Sequence, residues 1–344
     1  MKKRWWAFIF YMSLIFISGC FMGSHLTNRQ HLAQGLNDYK KENYKGARKH
    51  LKVAVETLRD SVMLPKALYF YGESLFKTRK YNEATQYFNR LVYSFPRDSL
   101  AELSRLKVNA CYRAQFHEAL KRYNDEDYLD ARNDFKVIIL SSGLASIQDS
   151  ARFYYANCYY HTKEYMMAIA EFERLVKFYP RSFMLANARF QIAMCYYKLA
   201  PKYSLDQEYT HKARSEFQQF IDEFSSRSLY PNTDKKLLEE ATKRLFELKN
   251  RLARKTYEVG RLYRRMGEFD AAVIALDQVL KEYHDTDYAP KAQYWKAECL
   301  RRLNRPDEAR SEFEKFLKKY PEHKDISKVN DKLKEIAESG MDEK

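Results

Sequence analysis

The sequence predicts an all-α chain: a right-handed superhelix of about seven helix-turn-helix repeats, closed by a C-terminal capping helix. Three observations predict it. Small residues recur in pairs twelve positions apart, a phenylalanine or leucine follows the second of each pair by four, and the 344 residues include only 9 Gly and 8 Pro. Small side chains let two helix axes approach closely, and a large side chain one turn later fills the groove they leave.

The stretch from Asp149 to Pro180 displays the unit most completely. Ala156 and Ala168 lie twelve apart, Phe172 follows Ala168 by four, and Pro180 follows Phe172 by eight, where it ends the second helix. This is the tetratricopeptide (TPR) pattern. Equivalents of Ala168 occur at Ala47, Ala84, Ala131, Ala213, Ala272 and Ala309. Twelve residues before most of them stand Gly35, Gly72, Ala119, Gly260 and Ala297; four after stand Leu51, Phe88, Phe135, Phe217, Leu276 and Phe313. Pro96 and Pro321 close two further units. The spacings of 37, 47, 37, 45, 59 and 37 set the unit at 37 residues and leave insertions of 10, 8 and 22. Most of the 28 Tyr and 22 Phe fall on such packing positions, so core packing is their default explanation.

In chain order, Met1 to Arg4 is positively charged and Trp5 to Ser18 is an apolar run of 14 residues. That run is too short to span a bilayer and fits an export signal. It ends in Ile17-Ser18-Gly19-Cys20, which resembles a bacterial lipobox. Residues 1–19 are thus expected to be a lipoprotein signal peptide, with Cys20 the lipid attachment site and 20–28 a lipid-anchored linker. Acyl chains on Cys20 would hold firmly, at about 0.8 kcal/mol per buried methylene. Phe21, where an aspartate would redirect sorting, resembles the outer-membrane class, so the expected place is the periplasmic face of the cell outer membrane. Phe21 to Asn28 extend at most ~29 Å, which keeps the first repeat near that surface.

Repeats one and two occupy roughly 29–98. The ten extra residues before repeat three predict a lengthened first helix or a short adaptor around 99–115, and Asn124-Asp125-Glu126-Asp127 supplies the next turn. In repeat five, Pro201 to Glu208 lengthens the connection after the helix Ala186–Leu199. After Phe224 comes SSRSLYPNTDKK, then a long helix from Leu237 to Met266, with Leu238, Ala241, Leu245, Leu248 and Leu252 at helical spacing. Beyond Lys324 a polar helix with few apolar residues (Ile326, Val329, Leu333, Ile336) suits a solubilising cap. The expected domains are 29–115, additional N-terminal repeats; 116–324, the main repeat domain; and 325–344, the capping helix and tail.

Cys158, Cys195 and Cys299 each stand two residues after a small first-helix residue (Ala156, Ala193, Ala297). Equivalent positions in stacked repeats are separated by roughly 10 Å, beyond the ~7 Å reach of a disulfide. They are expected to be buried free thiols; Cys111 lies outside this register. No glycine-rich phosphate loop exists and the eight histidines are scattered, so no cofactor, metal or enzymatic activity is expected. The formal charge is +15, or +12 without Lys2, Lys3 and Arg4. Export argues against nucleic acid as the partner; anionic lipid, lipopolysaccharide phosphate or an acidic protein fits better.

The run Ala241-Thr242-Lys243-Arg244-Leu245, Leu248-Lys249, Arg251-Leu252-Ala253, Tyr257, Val259 and Tyr263 closely resembles the BamD (ComL) family. So do Asp206-Gln207 before a helix and the pattern AxxxFxxFIxxF from Ala213 to Phe224. The likeness covers about Gln115 to Pro321 together with the lipobox; the two N-terminal repeats (29–98) are additional. The resemblance implies a non-enzymatic lipoprotein subunit of the outer-membrane β-barrel assembly (BAM) machinery. In that family the C-terminal repeats dock a periplasmic domain of the barrel-forming subunit, and the N-terminal repeats recognise unfolded outer-membrane proteins. The docking region includes the turn corresponding to Arg264-Arg265-Met266-Gly267.

A TPR superhelix presents the first helix of each repeat on its concave face. By register, the positions three before and one, four and five after the small residue point there. In repeats two to five these include Glu73, Met194 and the rings Tyr69, Phe76, Tyr123, Phe153, Tyr160, Phe190 and Tyr197, expected to bind substrate peptide. In repeats six and seven they include Arg254, Tyr257, Tyr294 and the arginines Arg261, Arg264, Arg265, Arg301 and Arg302, expected to bind the partner. Aromatic surfaces suit extended apolar segments, and arginine clusters suit carboxylates. The plainer alternative is that the rings cover neighbouring repeats and the arginines are solvated. A rival function is a periplasmic scaffold of cell-envelope division or peptidoglycan machinery, for which the two extra repeats speak. An enzyme would need a polar acid–base cluster; the nearest candidates, His161, Glu164 and Glu73, lie at turns or on separate repeats.

Overall fold

The structure is a computed structural model that describes residues 26–59, 62–141, 145–225 and 235–339. The expected export signal, Cys20 and the expected linker as far as His25 lie outside the described residues, as do residues 226–234 of the second insertion. The described residues form fifteen α-helices and no strand. Seven helical hairpins follow one another: α1 (Asn28–Lys40) with α2 (Tyr44–Thr57), α3 (Met63–Lys77) with α4 (Tyr81–Ser94), α5 (Ser99–Asn124) with α6 (Tyr128–Leu140), α7 (Ala145–His161) with α8 (Tyr165–Phe178), α9 (Leu185–Leu199) with α10 (Glu208–Phe224), α11 (Lys235–Met266) with α12 (Phe269–Glu282), and α13 (Ala289–Arg302) with α14 (Pro306–Lys319). A last helix, α15 (Ile326–Ser339), covers α14 through buried Val329 and Ile336. The chain divides into two compact units, one up to Ala151 and one from Arg152, the division falling within α7.

The packing rule read from the sequence holds in every repeat. All seven alanines of the ruler are fully buried, and the seven side chains four residues on are buried to the same degree. The smallness of the partner position has a direct steric cause. A Cβ on Gly72 would stand 2.8 Å from the Phe88 ring, and one on Gly35 would stand 2.6 Å from Leu51 Cγ. Each plug therefore occupies the space of the methyl group that the facing glycine lacks.

The hairpin turns carry a second regularity. Five residues before each ruler alanine, the backbone is left-handed at Glu42, Arg79, Glu126, Lys163, Gly267 and Asn304. The next amide donates back to the carbonyl five residues upstream, as in Glu164 N–H to Tyr159 O (2.9 Å) and Arg305 N–H to Leu300 O (3.1 Å). This is a Schellman closure, which satisfies the last carbonyls of the first helix. Repeat five, with its inserted loop, lacks it. Only one of the six left-handed residues is glycine, so the others carry the steric cost of a Cβ at positive φ. Lys163→Gly is expected to raise stability by about 0.5–1 kcal/mol and Gly267→Ala to lower it by about 1 kcal/mol, measured by denaturant or thermal melts.

Of the two alternatives at the first insertion, the lengthened helix is realised: α5 runs for 26 residues. The last insertion feeds α11, 32 residues long, which buries Leu245, Leu248 and Leu252. Its first half covers α10 and its second half is the first helix of repeat six. The four cysteines among the described residues are free and buried. Burial pushes the Cys111 and Cys299 thiols up to about 11 and Cys195 to about 12, which keeps them as unreactive small hydrophobes. Cys111 is placed on α5 in the core of the first unit.

One polar cluster is embedded between α12, α13 and α14. Lys296 Nζ donates to Asp277 Oδ1 (2.8 Å) and approaches Glu312 Oε1 (3.3 Å). Gln293 Nε2 donates to Glu312, and Lys281 and Lys315 close the carboxylates from outside.

Candidate partner-binding surface

The first helices of the hairpins supply the candidate surface, and their register sorts its side chains into two kinds. The ring three residues before the small position packs on the plug of its own repeat, edge-on in four cases and tilted at Phe153. Tyr69 meets Phe88 at 5.9 Å, Phe116 meets Phe135 at 5.7 Å, Phe153 meets Phe172 at 5.7 Å, Phe190 meets Phe217 at 5.9 Å, and Tyr294 meets Phe313 at 5.8 Å. Edge-on pairs at this separation are the favoured arrangement of aromatic quadrupoles. Phe153 and Phe190 are consequently 8 % and 7 % exposed. The expectation that they line an open peptide groove is corrected: they are core, because the plug that fills the small-residue groove needs a ring beside it. Tyr69 keeps one half-exposed edge.

The ring four residues after the small position clasps the first residue of the second helix. Phe76 packs on Tyr81 (5.3 Å), Tyr123 on Tyr128 (5.4 Å) and Tyr160 on Tyr165 (5.6 Å). All three remain half-buried and present an edge to the outside. Glu73, by contrast, is buried; its carboxylate accepts from Tyr39 Oη (3.1 Å) and Lys107 Nζ (3.0 Å), a polar tie across three repeats of the first unit. His161 and Glu164 stand exposed at the turn between α7 and α8.

Tyr197 departs from the pattern. Its hydroxyl donates to Glu247 (2.6 Å) and accepts from Arg244 (3.1 Å), while the guanidinium groups of Arg244 and Arg251 lie over its ring at 5.0 and 5.7 Å. Burial, then the Glu247 carboxylate, raise its pKa above the usual phenol value. The same stretch of α11 holds the inserted loop of repeat five. Arg251 donates to the carbonyls of Ala200 and Pro201, Lys255 to that of Leu205, and Arg254 stacks on Tyr203 at 3.9 Å. From the other side, buried Gln207 donates to Lys202 O and Leu205 O and accepts from Thr210. The loop and α11 thus bound a cleft of ≈ 580 Å³ lined by Lys202, Tyr203, Arg254 and Asp287 among others. The sequence pattern shows the insertion but not these donors, which reach across about fifty residues to backbone oxygens.

The arginines also divide. Arg264 lies flat on Trp295 at 3.5 Å with its Nε buried, so its guanidinium is a packing element. Arg301 pairs with Glu298 on its own helix. Arg261 pairs with Glu258 but keeps 48 % of its side chain exposed, and Arg265 and Arg302 are exposed. Beside Arg261 and Arg265 runs an apolar stripe that sequence periodicity alone did not single out. Val259, Leu262, Tyr263 and Met266 lie at i, i+3, i+4 and i+7 and are 42, 55, 37 and 63 % exposed. Large apolar side chains at one helical face normally point to a core; here no neighbouring repeat covers them. Arginines along one side of an exposed apolar stripe are the composition of a protein-docking face.

Among the described residues no helix is long and apolar enough to cross a membrane, and no group of three or more His, Cys, Asp or Glu side chains is gathered to hold a metal ion.

Comparison with known proteins agrees with the repeat architecture. Residues 32–99 match a tetratricopeptide repeat model. Among solved structures, the TPR domain of P58(IPK) is 17 % identical, with 92 % of this chain and 80 % of that one covered at a TM-score of 0.34. A tetratricopeptide repeat protein from Parabacteroides merdae is 14 % identical over 90 % of this chain and 98 % of that one, at 0.27. The TPR protein TTC0263 of Thermus thermophilus is 18 % identical over 64 % and 98 %, at 0.25. Likenesses at these scores say nothing about partners. No curated protein matches the chain. Residues 108–312, more than half of the chain, match the model described as YfiO, outer membrane lipoprotein. The chain belongs to the YfiO family of outer membrane lipoproteins.

Proposed function

We propose that this lipoprotein is a non-enzymatic subunit of the machinery that assembles β-barrel proteins in the outer membrane. In this role it docks a periplasmic domain of the barrel-forming subunit and receives unfolded barrel substrates. Family membership supplies the context. The observation that carries the docking half is the exposed end of α11, where the stripe of Val259, Leu262, Tyr263 and Met266 runs alongside exposed Arg261 and Arg265. Such a face fits a partner with an apolar ridge and an acidic flank on one side, the arginines meeting carboxylates in bidentate pairs. Arg302 extends the basic surface on α13. For substrate, the half-exposed rings Phe76 and Tyr123 of the first unit, and separately Tyr160 of the second, are available to peptide segments rich in aromatic residues; Phe153 and Phe190 are not.

The test is a charge reversal that leaves the fold alone. Arg261→Glu with Arg265→Glu removes exposed groups, so circular dichroism and the melting temperature should be unchanged. Co-purification of the barrel-forming subunit should fall by about tenfold or more, with a matching fall for Leu262→Asp. Undiminished co-purification by the double variant would remove the α11 face from the interface.

A further inference from the structure

The antiparallel hairpins of the first unit place the start of α1, the end of α2, the start of α3 and the end of α4 at one end of the stack, opposite the tight turns. This is the end from which the chain leads back toward Cys20. Its surface is predominantly basic: Arg29, Lys52, Arg59, Lys66, Arg90 and Arg97 are exposed there, with Glu56 paired to Lys52 at 3.9 Å. Arg59 also caps α2, its guanidinium donating to Glu56 O and Leu58 O. Large apolar side chains stand among these cations, with Leu26 38 % exposed and Val62 and Tyr93 both 78 % exposed.

We propose that this end of the first two repeats is a lipid-facing edge that rests on the anionic headgroups of the bilayer holding the lipid anchor. The proposal rests on Cys20 being that anchor and goes beyond it. Eight residues, Phe21 to Asn28, extend at most ~29 Å, so a chain tethered at Cys20 keeps this end within reach of the headgroups. Lysine and arginine near an anionic surface are attracted by its potential, and tyrosine and aliphatic side chains among them suit the interfacial zone. The edge would fix the tilt of the repeats against the membrane, which a lipid tether alone leaves free.

The test uses the mature lipidated protein in vesicles containing a nitroxide-labelled lipid. Trp5 and Trp6 leave with the signal, so Tyr93→Trp combined with Trp295→Phe places the only tryptophan at the edge. In phosphatidylglycerol–phosphatidylcholine vesicles this tryptophan should be quenched. Quenching should fall by about twofold or more in phosphatidylcholine alone, at high salt, or with Arg59→Glu, Lys66→Glu and Arg90→Glu together. Protein that floats with the vesicles but whose tryptophan is not quenched, or is quenched equally in the triple variant, overturns the edge and leaves the anchor standing. Protein that does not float overturns the anchor, and the edge with it.

Discussion

Replacing Phe172 by alanine is expected to lower stability by ~3–5 kcal/mol, the range for deleting a fully buried ring whose site cannot collapse. The ring is 0 % exposed and packs on Ala156, Ala168 and Leu175, with Phe153 tilted against it at 5.7 Å. The helices on both sides are held apart by their own backbones, so the hole cannot close. In a stack of repeats the loss also weakens the interfaces with the flanking hairpins, which broadens the melt. Phe172→Leu, which refills most of the volume, should recover more than half of the loss. Chemical denaturation of the three proteins decides the matter; an alanine variant within 1 kcal/mol of the parent would remove Phe172 from the core.

Lys296→Met is expected to cost about 3 kcal/mol at neutral pH. Methionine keeps the length of the side chain but strands Asp277 and Glu312, whose side chains are 28 % and 10 % exposed. Breaking a buried pair typically costs 3–5 kcal/mol, and Lys281 and Lys315 remain to hold the effect at the lower end. The pH dependence follows from the directions of the shifts. Burial pushes both carboxyls up, but the neighbouring ammonium groups outweigh it and hold both below the ordinary carboxylate range. A carboxyl depressed in the folded state contributes stability above its unfolded value, near 4, and loses it as the pH falls toward the folded value. The gap between parent and variant should therefore be full at pH 7 and narrow below about pH 4. A gap that is independent of pH would assign the loss to packing and not to charge.

The repeat core was legible in the sequence because smallness and bulk at fixed spacing are themselves the packing. Gly72 and Phe88 can be paired by counting, and the structure puts the ring where a methyl group would otherwise be. The insertions were legible for the same reason, as departures from a ruler. The turns were less so. Glu42, Arg79, Glu126, Lys163 and Asn304 take left-handed backbone without the glycine that usually signals it; their fixed offset of five before the ruler was the available signal.

The candidate surface was legible only to the level of a helix face. Register placed Phe153 and Phe190 beside Tyr160 and Tyr197, yet the first two are in the core. Whether a ring three positions before the small residue is covered depends on the plug of the second helix, a contact across 19 residues at Phe153. Tyr197 was found as an aromatic, but the guanidinium groups of Arg244 and Arg251 over its ring depend on α11 folding back, about fifty residues later. Arg264 read as a free cation and is instead a flat lid on Trp295. The apolar stripe of α11 escaped because apolar periodicity looks alike whether a neighbour covers it or a partner does.

The most direct measurement is affinity purification of the lipidated chain from outer membranes after in-cell crosslinking, with the parent and the Arg261→Glu, Arg265→Glu variant side by side. The parent should bring down a barrel-forming subunit with periplasmic domains, crosslinked through the end of α11, and the variant should lose it. Envelope-constriction or peptidoglycan proteins in its place, with no barrel-forming subunit, would contradict the account.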